Sequence, residues 1–165
     1  MNLQLRKRNL LITEIAMTVI LILFIALCLR DRVRDDISVD TLKPVLEAAV
    51  SDTSNMSEAG AMKLRSLYGL SANDYSEVLL YIPVTNMDAQ EMLLVRCNSE
   101  SQAEAVEAAM KERIEYERSI FESYGVEQMG IIEKAVVDVQ GTYCLYVCDD
   151  NSAAVQDAFR AAVKE

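Results

Sequence analysis

The side chains with the most reactive chemistry lie close together near the end of the chain, in the stretch CLYVCDD (144–150). Cys144 and Cys148 are four residues apart in a predicted strand, so they share a face but lie about 13 Å apart. That separation is too long for a disulfide between them. Either thiol can pair with Cys97 on a neighbouring strand, or all can be small buried side chains, which is the interpretation we favour.

Two adjacent carboxylates, Asp149 and Asp150, follow directly at the predicted end of this strand. Such a pair can hold a cation or take part in acid–base chemistry. It can equally cap the helix that follows, because carboxylates favour the positive end of the helix dipole. We expect the capping role.

Histidine and tryptophan are both absent from the 165 residues. Without histidine, Ser-His-Asp and Cys-His catalysis and most zinc chemistry are excluded. A cysteine nucleophile would need an activating base, and the sequence nominates none. We therefore assign no catalytic, metal-binding or cofactor-binding residues, and a non-catalytic function is favoured over an enzyme.

The charge of the chain is strongly unbalanced after its first segment. Residues 30–165 carry 13 basic and 25 acidic side chains, a formal charge of −12. Such a surface repels the phosphates of nucleic acids, which are excluded as partners. Anionic lipid headgroups are equally poor partners for it.

The apolar run LLITEIAMTVILILFIALCL (10–29) holds one charged residue, Glu14, in 20 residues. As a helix it would be about 30 Å long, the thickness of the hydrocarbon core of a bilayer. We predict a retained transmembrane signal anchor whose partner is the lipid bilayer. Cleavage after a signal peptide and lipidation at Cys28 are the alternatives, although Leu27 fills a position that usually holds a small residue.

The orientation of this span does not follow from its flanking charges. Arg6, Lys7 and Arg8 precede it, and the segment after it holds an equal number of arginines at 30, 32 and 34. The positive-inside rule therefore gives a tie, which the N-terminal amine tips towards a cytoplasmic N-terminus. The predicted organisation is a cytoplasmic tail (1–9), a transmembrane helix (10–29), a charged tether (30–39) and an extracytoplasmic domain (40–165).

Hydrophobic periodicity predicts the architecture of that domain. Apolar residues recur at helical spacing over 42–50, 62–67, 103–124 and 155–163, whereas 75–82, 91–97, 135–139 and 142–148 are rich in strand-forming residues. The order α-α-β-β-α-β-β-α predicts an α+β domain. We expect a mainly antiparallel four-stranded sheet with helices packed on it.

One face of this predicted sheet is unusually apolar and aromatic for a solvent-exposed surface. An exposed, tyrosine-rich face with one arginine would suit a protein partner in the cell envelope. The alternative is that the two N-terminal helices cover it. The residues of this possible interaction face are Tyr75, Leu79, Tyr81, Leu94, Arg96 and Tyr146.

Several stretches resemble a bacterial family known as domain of unknown function 4358. They are LRSLYGLSANDYSEVLLYI, DAQEMLLVRCNSESQAEAVEAAMKERIEYERSIFESYG and GTYCLYVCDDNSAAVQDAF, and the resemblance covers about residues 40–163. It rests on Tyr68-Gly69, Asp88, Glu91, Tyr124 and Gly141-x-Tyr143. The family has no established catalytic residues. Its members usually carry an N-terminal lipoprotein signal or membrane segment, which implies an extracytoplasmic domain.

These observations predict a single-pass protein of the cytoplasmic membrane whose domain faces outside. Its function would be that of a non-catalytic interaction or accessory module of the bacterial envelope. Two alternatives stay open: an envelope enzyme using carboxylate or cysteine chemistry, and a membrane-tethered binding domain facing the cytoplasm.

Overall fold

The computed structural model of the protein describes residues 13–25, 33–123 and 125–164. The chain forms two compact units, Met1–Arg32 and Val33–Glu165. Residues 13–25 of the first unit are helical. The rest of the predicted span 10–29, with Cys28 and the predicted tail 1–9, lies outside the described residues. Within the described ranges, no helix has the length and apolar character needed to cross a membrane.

Within 33–123 and 125–164, the second unit has five helices and five strands, apart from two short 3₁₀ turns at Thr53–Asn55 and Ala72–Asp74. The helices are α1 Val39–Ala49, α2 Ala61–Tyr68, α3 Glu100–Phe121, α4 Val126–Ile132 and α5 Ser152–Val163. The strands are β1 Met56–Ala59, β2 Glu77–Pro83, β3 Glu91–Arg96, β4 Val136–Gln140 and β5 Tyr143–Cys148.

All neighbouring strands are antiparallel, and they lie in the order β1-β2-β3-β5-β4. The α+β class and the antiparallel sheet are therefore confirmed. The prediction of four strands was wrong, because β1 adds a fifth strand at the edge beside β2.

Strand β1 was missed because its sequence gives almost no strand signal. Of its four residues only Met56 is buried. The main chain of β1 pairs with β2, and Met56 joins the core beneath α1. The helix begins only at Ala61, with Gly60 as its N-cap. Main-chain pairing and one buried side chain thus override a weak local preference.

Helices cover both faces of the sheet. Helices α1 and α5 pack on one face, where Leu46, Leu94 and Phe159 are completely buried. Helices α2, α3 and α4 pack on the other, where the core includes Leu64, Val106 and Ile132. Each buried face of the sheet therefore has its own hydrophobic core.

Residues 33–38, which fell in the predicted tether, pack against the domain. The Arg34 amide donates to the Val163 carbonyl at 2.9 Å, and the Tyr143 hydroxyl donates to the Ile37 carbonyl at 2.7 Å. Ser38 then caps α1, since its hydroxyl accepts from the Thr41 amide at 3.2 Å. Residues 33–38 are therefore part of the packed unit that the structure describes.

Candidate functional site

The strongest concentration of buried polar groups lies on the face covered by α2 and α3. Three elements position it: Tyr68 is the last residue of α2, Glu91 the first residue of β3, and Arg113 lies in the middle of α3. Strand β3 is the central strand of the sheet, so its first residue is enclosed by neighbours on both sides. A charged side chain at this position must find its partners within the protein.

Arg113 and Glu91 form a bidentate ion pair. Arg113 Nε donates to Glu91 Oε1 at 3.0 Å, and Nη2 donates to Oε2 at 2.7 Å. The Tyr68 hydroxyl also donates to Oε1. The exposed fractions of the Glu91 and Arg113 residues are 2% and 7%, so water cannot replace these partners. The geometry matches the planar fork that arginine offers to a carboxylate.

A second carboxylate, Glu117, lies one helical turn beyond Arg113. Its Oε1 is 2.5 Å from Arg113 Nη2, and its side chain is 9% exposed. Burial raises the pKa of Glu117, and the negative charge of Glu91 raises it further, although Arg113 opposes both effects. The cluster therefore holds two carboxylates for one guanidinium.

A groove of about 450 Å³ opens onto this ionic cluster. Its floor includes Glu91, Arg113 and Glu117, and its rim includes exposed Val84. Arg113 also lines a second groove of about 440 Å³, which is formed by the end of α2 and by α3. Concave surfaces with apolar walls and a few converging polar groups are the usual form of a binding site.

Tyr116 lines both grooves. Its side chain is exposed, with 57% of its surface accessible, and the Arg113 guanidinium lies 5.6 Å from its ring centroid. The ring of Tyr68 lies 6.0 Å from the same guanidinium. Arg113 is thus held between aromatic rings as well as by carboxylates, which fixes its position.

Tyr146 lies behind this cluster. Its ring packs edge-on against Tyr68 at 6.2 Å, and burial raises its pKa well above the ordinary value. Its hydroxyl is buried and has no hydrogen-bond partner among the described residues. A buried hydroxyl without a partner is uncommon and costs stability. Tyr146 thus adds one more polar group to the buried side of this cluster.

The three cysteines that the structure describes do not form a reactive site. Cys97, Cys144 and Cys148 are buried and unpaired. Burial raises the pKa of all three thiols, that of Cys148 to about 12. A thiol in this state is a poor nucleophile. The structure agrees with the expected role of small buried side chains.

Asp149 and Asp150 have different surroundings. The buried Asp149 carboxylate accepts from the Ser51 amide and hydroxyl, from Gln90 Nε2 and from the Asn151 amide, at 2.7–3.0 Å. Asp150 forms an exposed ion pair with Lys134. Asp149 therefore acts as a structural acceptor where α5 begins. No group of acidic, cysteine or histidine side chains suited to a metal ion occurs in the described ranges.

The six residues of the predicted interaction face do not share a surface. The register between β3 and β5 explains this result. Leu94 pairs with Leu145, whereas Tyr146 pairs with Leu93, and these two pairs lie on opposite faces of the sheet. A shift of one residue moves a side chain to the other face of a sheet. Leu79, Tyr81, Leu94 and Tyr146 are buried, while Tyr75 and Arg96 are half-buried. An exposed tyrosine-rich face is therefore not present in this part of the chain, since α1 and α5 cover one side of the sheet and α2–α4 the other.

The sequence did contain a signal for the cluster that was missed. The buried positions of α3 are Ala103, Val106, Met110, Arg113, Glu117 and Phe121. Their spacing of three or four residues places Arg113 and Glu117 on the apolar stripe of the helix. Charged residues at core positions of a helix indicate a buried ionic site.

Comparison with known proteins gives one family. The sequence model of the family described as "Domain of unknown function (DUF4358)" matches residues 48–149, which include the whole ionic cluster. No curated protein matches the chain. No solved structure matches it either.

Proposed function

This chain belongs to the DUF4358 family of domains of unknown function, and from that premise we propose that it is a membrane-anchored, non-catalytic binding module of the bacterial envelope. Its ligand would enter the groove above the cluster of Tyr68, Glu91, Arg113 and Glu117. The observation that carries this proposal is a concave surface with a rigid, buried ionic floor and an exposed aromatic residue at its rim.

Two observations support a binding role for this surface. Tyr116 and Val84 leave 57% and 60% of their surfaces exposed beside the groove, which gives a ligand apolar area to cover. The ionic floor is held by bidentate and aromatic contacts, so binding would not have to order it. Preorganised sites lose less conformational entropy on binding.

The membrane anchor rests on the sequence of residues 10–29. In support, the helical residues 13–25 are apolar apart from Thr13, Glu14 and Thr18, and all of them are exposed. A helix that is apolar on every side is typical of a membrane segment. The placement of the domain outside rests on the family resemblance and on the N-terminal amine, because the flanking arginines are balanced.

Protease treatment of intact protoplasts that express the full chain with a C-terminal tag tests this topology. Loss of the tag, with an N-terminal fragment retained in the membrane, is the expected result. A tag that survives until the cells are lysed would place the domain in the cytoplasm. A processed N-terminus in the mass spectrum would indicate cleavage or lipidation instead of a retained anchor.

Photo-crosslinking in intact cells tests the groove. A benzophenone amino acid at position 116 should form a specific adduct, whereas the same probe at the exposed control position 126 on α4 should not. Equal adducts at both positions, or none at 116, would contradict the proposed site. The probe at 116 keeps an aromatic ring beside Arg113, so the variant should fold.

The alternative in a different class is an envelope enzyme, and one observation bears on it. Glu117 is a carboxylate with a raised pKa in a groove, which is the usual environment of a general acid. An enzyme would turn over its ligand, and Glu117→Gln would abolish turnover while leaving binding of a neutral ligand intact. A binding module would show a stable, unchanged ligand after prolonged incubation.

A further inference from the structure

The charges lining the groove do not balance. Among the described residues, its lining holds three carboxylates, Asp88, Glu91 and Glu117, but two cations, Lys63 and Arg113. The surrounding chain adds to this excess, since residues 30–165 carry a formal charge of −12. A ligand that brings a positive charge would therefore complement the groove.

The unbalanced carboxylate is Glu117. Glu91 takes both hydrogen bonds of the Arg113 fork, so Glu117 has only its ion pair with Nη2. No hydrogen bond to the Glu117 carboxylate occurs among the described residues, although its side chain is more than nine-tenths buried. Oε2 is not one of the fully buried side-chain atoms that lack a partner, so it stays open to a donor from the groove that Glu117 lines.

The walls on either side of Glu117 are apolar. Leu67 of α2 and Ile82 of β2 line the groove, together with Ile120 and Phe121 of α3. They can cover a hydrocarbon stem that leads to the carboxylate. Long basic side chains bind in this way, with the stem along apolar surface and the charged end at a polar group.

The geometry of Glu117 favours an ammonium over a guanidinium. A guanidinium binds best to two oxygens at once, and one oxygen of Glu117 is already paired with Arg113. An ammonium acts as a point charge and needs only the single free oxygen. We propose that this groove binds a primary ammonium group on an alkyl stem, as in a lysine side chain, with the ammonium paired to Glu117 and the stem along Leu67 and Ile120. This inference rests on the proposed function of the groove.

Lys63 provides an internal competitor. It is exposed, it lines the same groove, and it makes no ion pair among the described residues. If its own ammonium reached Glu117, the site would be filled by the chain itself. Lys63→Met should therefore leave ligand binding unchanged or strengthen it. If Lys63 instead contacted the ligand, the same substitution would weaken binding.

Calorimetric titration of the full chain in neutral detergent tests the proposal. The probes are Nα-acetyl-lysine methylamide, the same compound acetylated at Nε, and 1,5-diaminopentane. The lysine compound should bind saturably, and its neutral Nε-acetyl analogue should bind at least roughly tenfold more weakly, equivalent to about 1.4 kcal/mol. Tighter binding of the lysine compound than of the diamine would indicate a peptide ligand, and the reverse order a free polyamine.

Two variants make the result specific to Glu117. Glu117→Gln should weaken binding of the lysine compound by at least roughly tenfold and leave the circular dichroism spectrum unchanged. Glu112→Gln removes the same charge from the same helix, in the lining of the second groove only, and should bind as the unchanged chain does. If both variants bound the lysine compound equally weakly, the compound would be attracted by the acidic surface as a whole and not by Glu117. That result would overturn the proposal.

Failure of this inference can be distinguished from failure of the proposed function. If the amines do not bind, or bind no better than the acetylated compound, the ammonium proposal is wrong. A specific adduct from position 116 would then still support the groove as a binding site. If that adduct were also absent, both the ammonium proposal and the proposed binding function of the groove would be contradicted.

Discussion

Arg113→Met should be among the most destabilising substitutions in the domain. It removes two hydrogen bonds to Glu91, at 3.0 and 2.7 Å, and the ion pair to Glu117. Glu91 would then keep only the Tyr68 hydroxyl as a partner, in a site where its residue is 2% exposed. Removing one partner of a buried ion pair costs about 3–5 kcal/mol, because the remaining charge is buried without compensation.

Thermal unfolding of the full chain in neutral detergent, followed by circular dichroism, measures this loss. A decrease of the midpoint on the order of 10 °C is expected for a domain of this size. Arg118→Met is the matched control on the same helix, because its ion pair with Glu115 is long, at 3.8 Å, and exposed. Such pairs contribute about 0–1 kcal/mol, so the control should change little.

A second substitution tests the physical reason. In the Arg113→Met background, Glu91→Gln replaces the uncompensated charge with a neutral amide. It should recover roughly 1–2 kcal/mol, because an unsatisfied neutral group costs less than a lone buried charge. If Arg113→Met costs no more than Arg118→Met, the cluster is not desolvated and the reasoning is refuted. If Glu91→Gln gives no recovery, the loss comes from packing and not from charge.

Four further outcomes follow from particular groups, each measured on the full chain. Burial raises the folded-state pKa of Glu117 above its ordinary value of 4.5, so this residue destabilises the folded state as the pH rises through the folded-state pKa. The thermal unfolding midpoint of Glu117→Gln should therefore rise relative to that of the unchanged chain between pH 4.5 and pH 8. Parallel midpoint curves for the two proteins would contradict this. Asp149→Asn places an amide against four donors and should cost roughly 2–3 kcal/mol in urea unfolding, and a neutral result would show that water replaces these contacts. Gly141→Ala should cost about 1–2 kcal/mol because its φ is +56°, and equal stability would mean that the β4–β5 turn had changed conformation. Mass spectrometry after iodoacetamide treatment at pH 8 should find Cys148 unlabelled until the protein is unfolded, since its pKa is raised to about 12, and rapid labelling of the folded chain would refute its burial.

Much of the secondary structure could be predicted because its signals are local. The apolar stripes of α1, α3 and α5 follow helical spacing, and β2, β3 and β5 are runs of strand-forming residues. Period and composition act within one element, so they can be taken from the residues alone. The class of the fold and the antiparallel sheet follow from the order of these elements.

The fifth strand could not be predicted on this basis. Strand β1 has four residues, one of them buried, and it is stabilised by main-chain hydrogen bonds to β2. These hydrogen bonds form only because the open edge of β2 lies beside residues 56–59. The position of that edge is set by the assembly of the whole sheet. The register between β3 and β5 is also a tertiary property, and it moved Tyr146 to the face opposite Leu94.

The sequence by itself determined the charge of the chain, the absence of histidine chemistry, the apolar run at 10–29 and the family to which the chain belongs. These depend only on which residues are present and how they are spaced. Tertiary structure decided that Tyr68, Glu91, Arg113 and Glu117, which come from three separate elements, meet below one groove. It also decided that the tyrosines of the sheet are buried, because helices pack on both of its faces. Neither face of the sheet is therefore open to a binding partner.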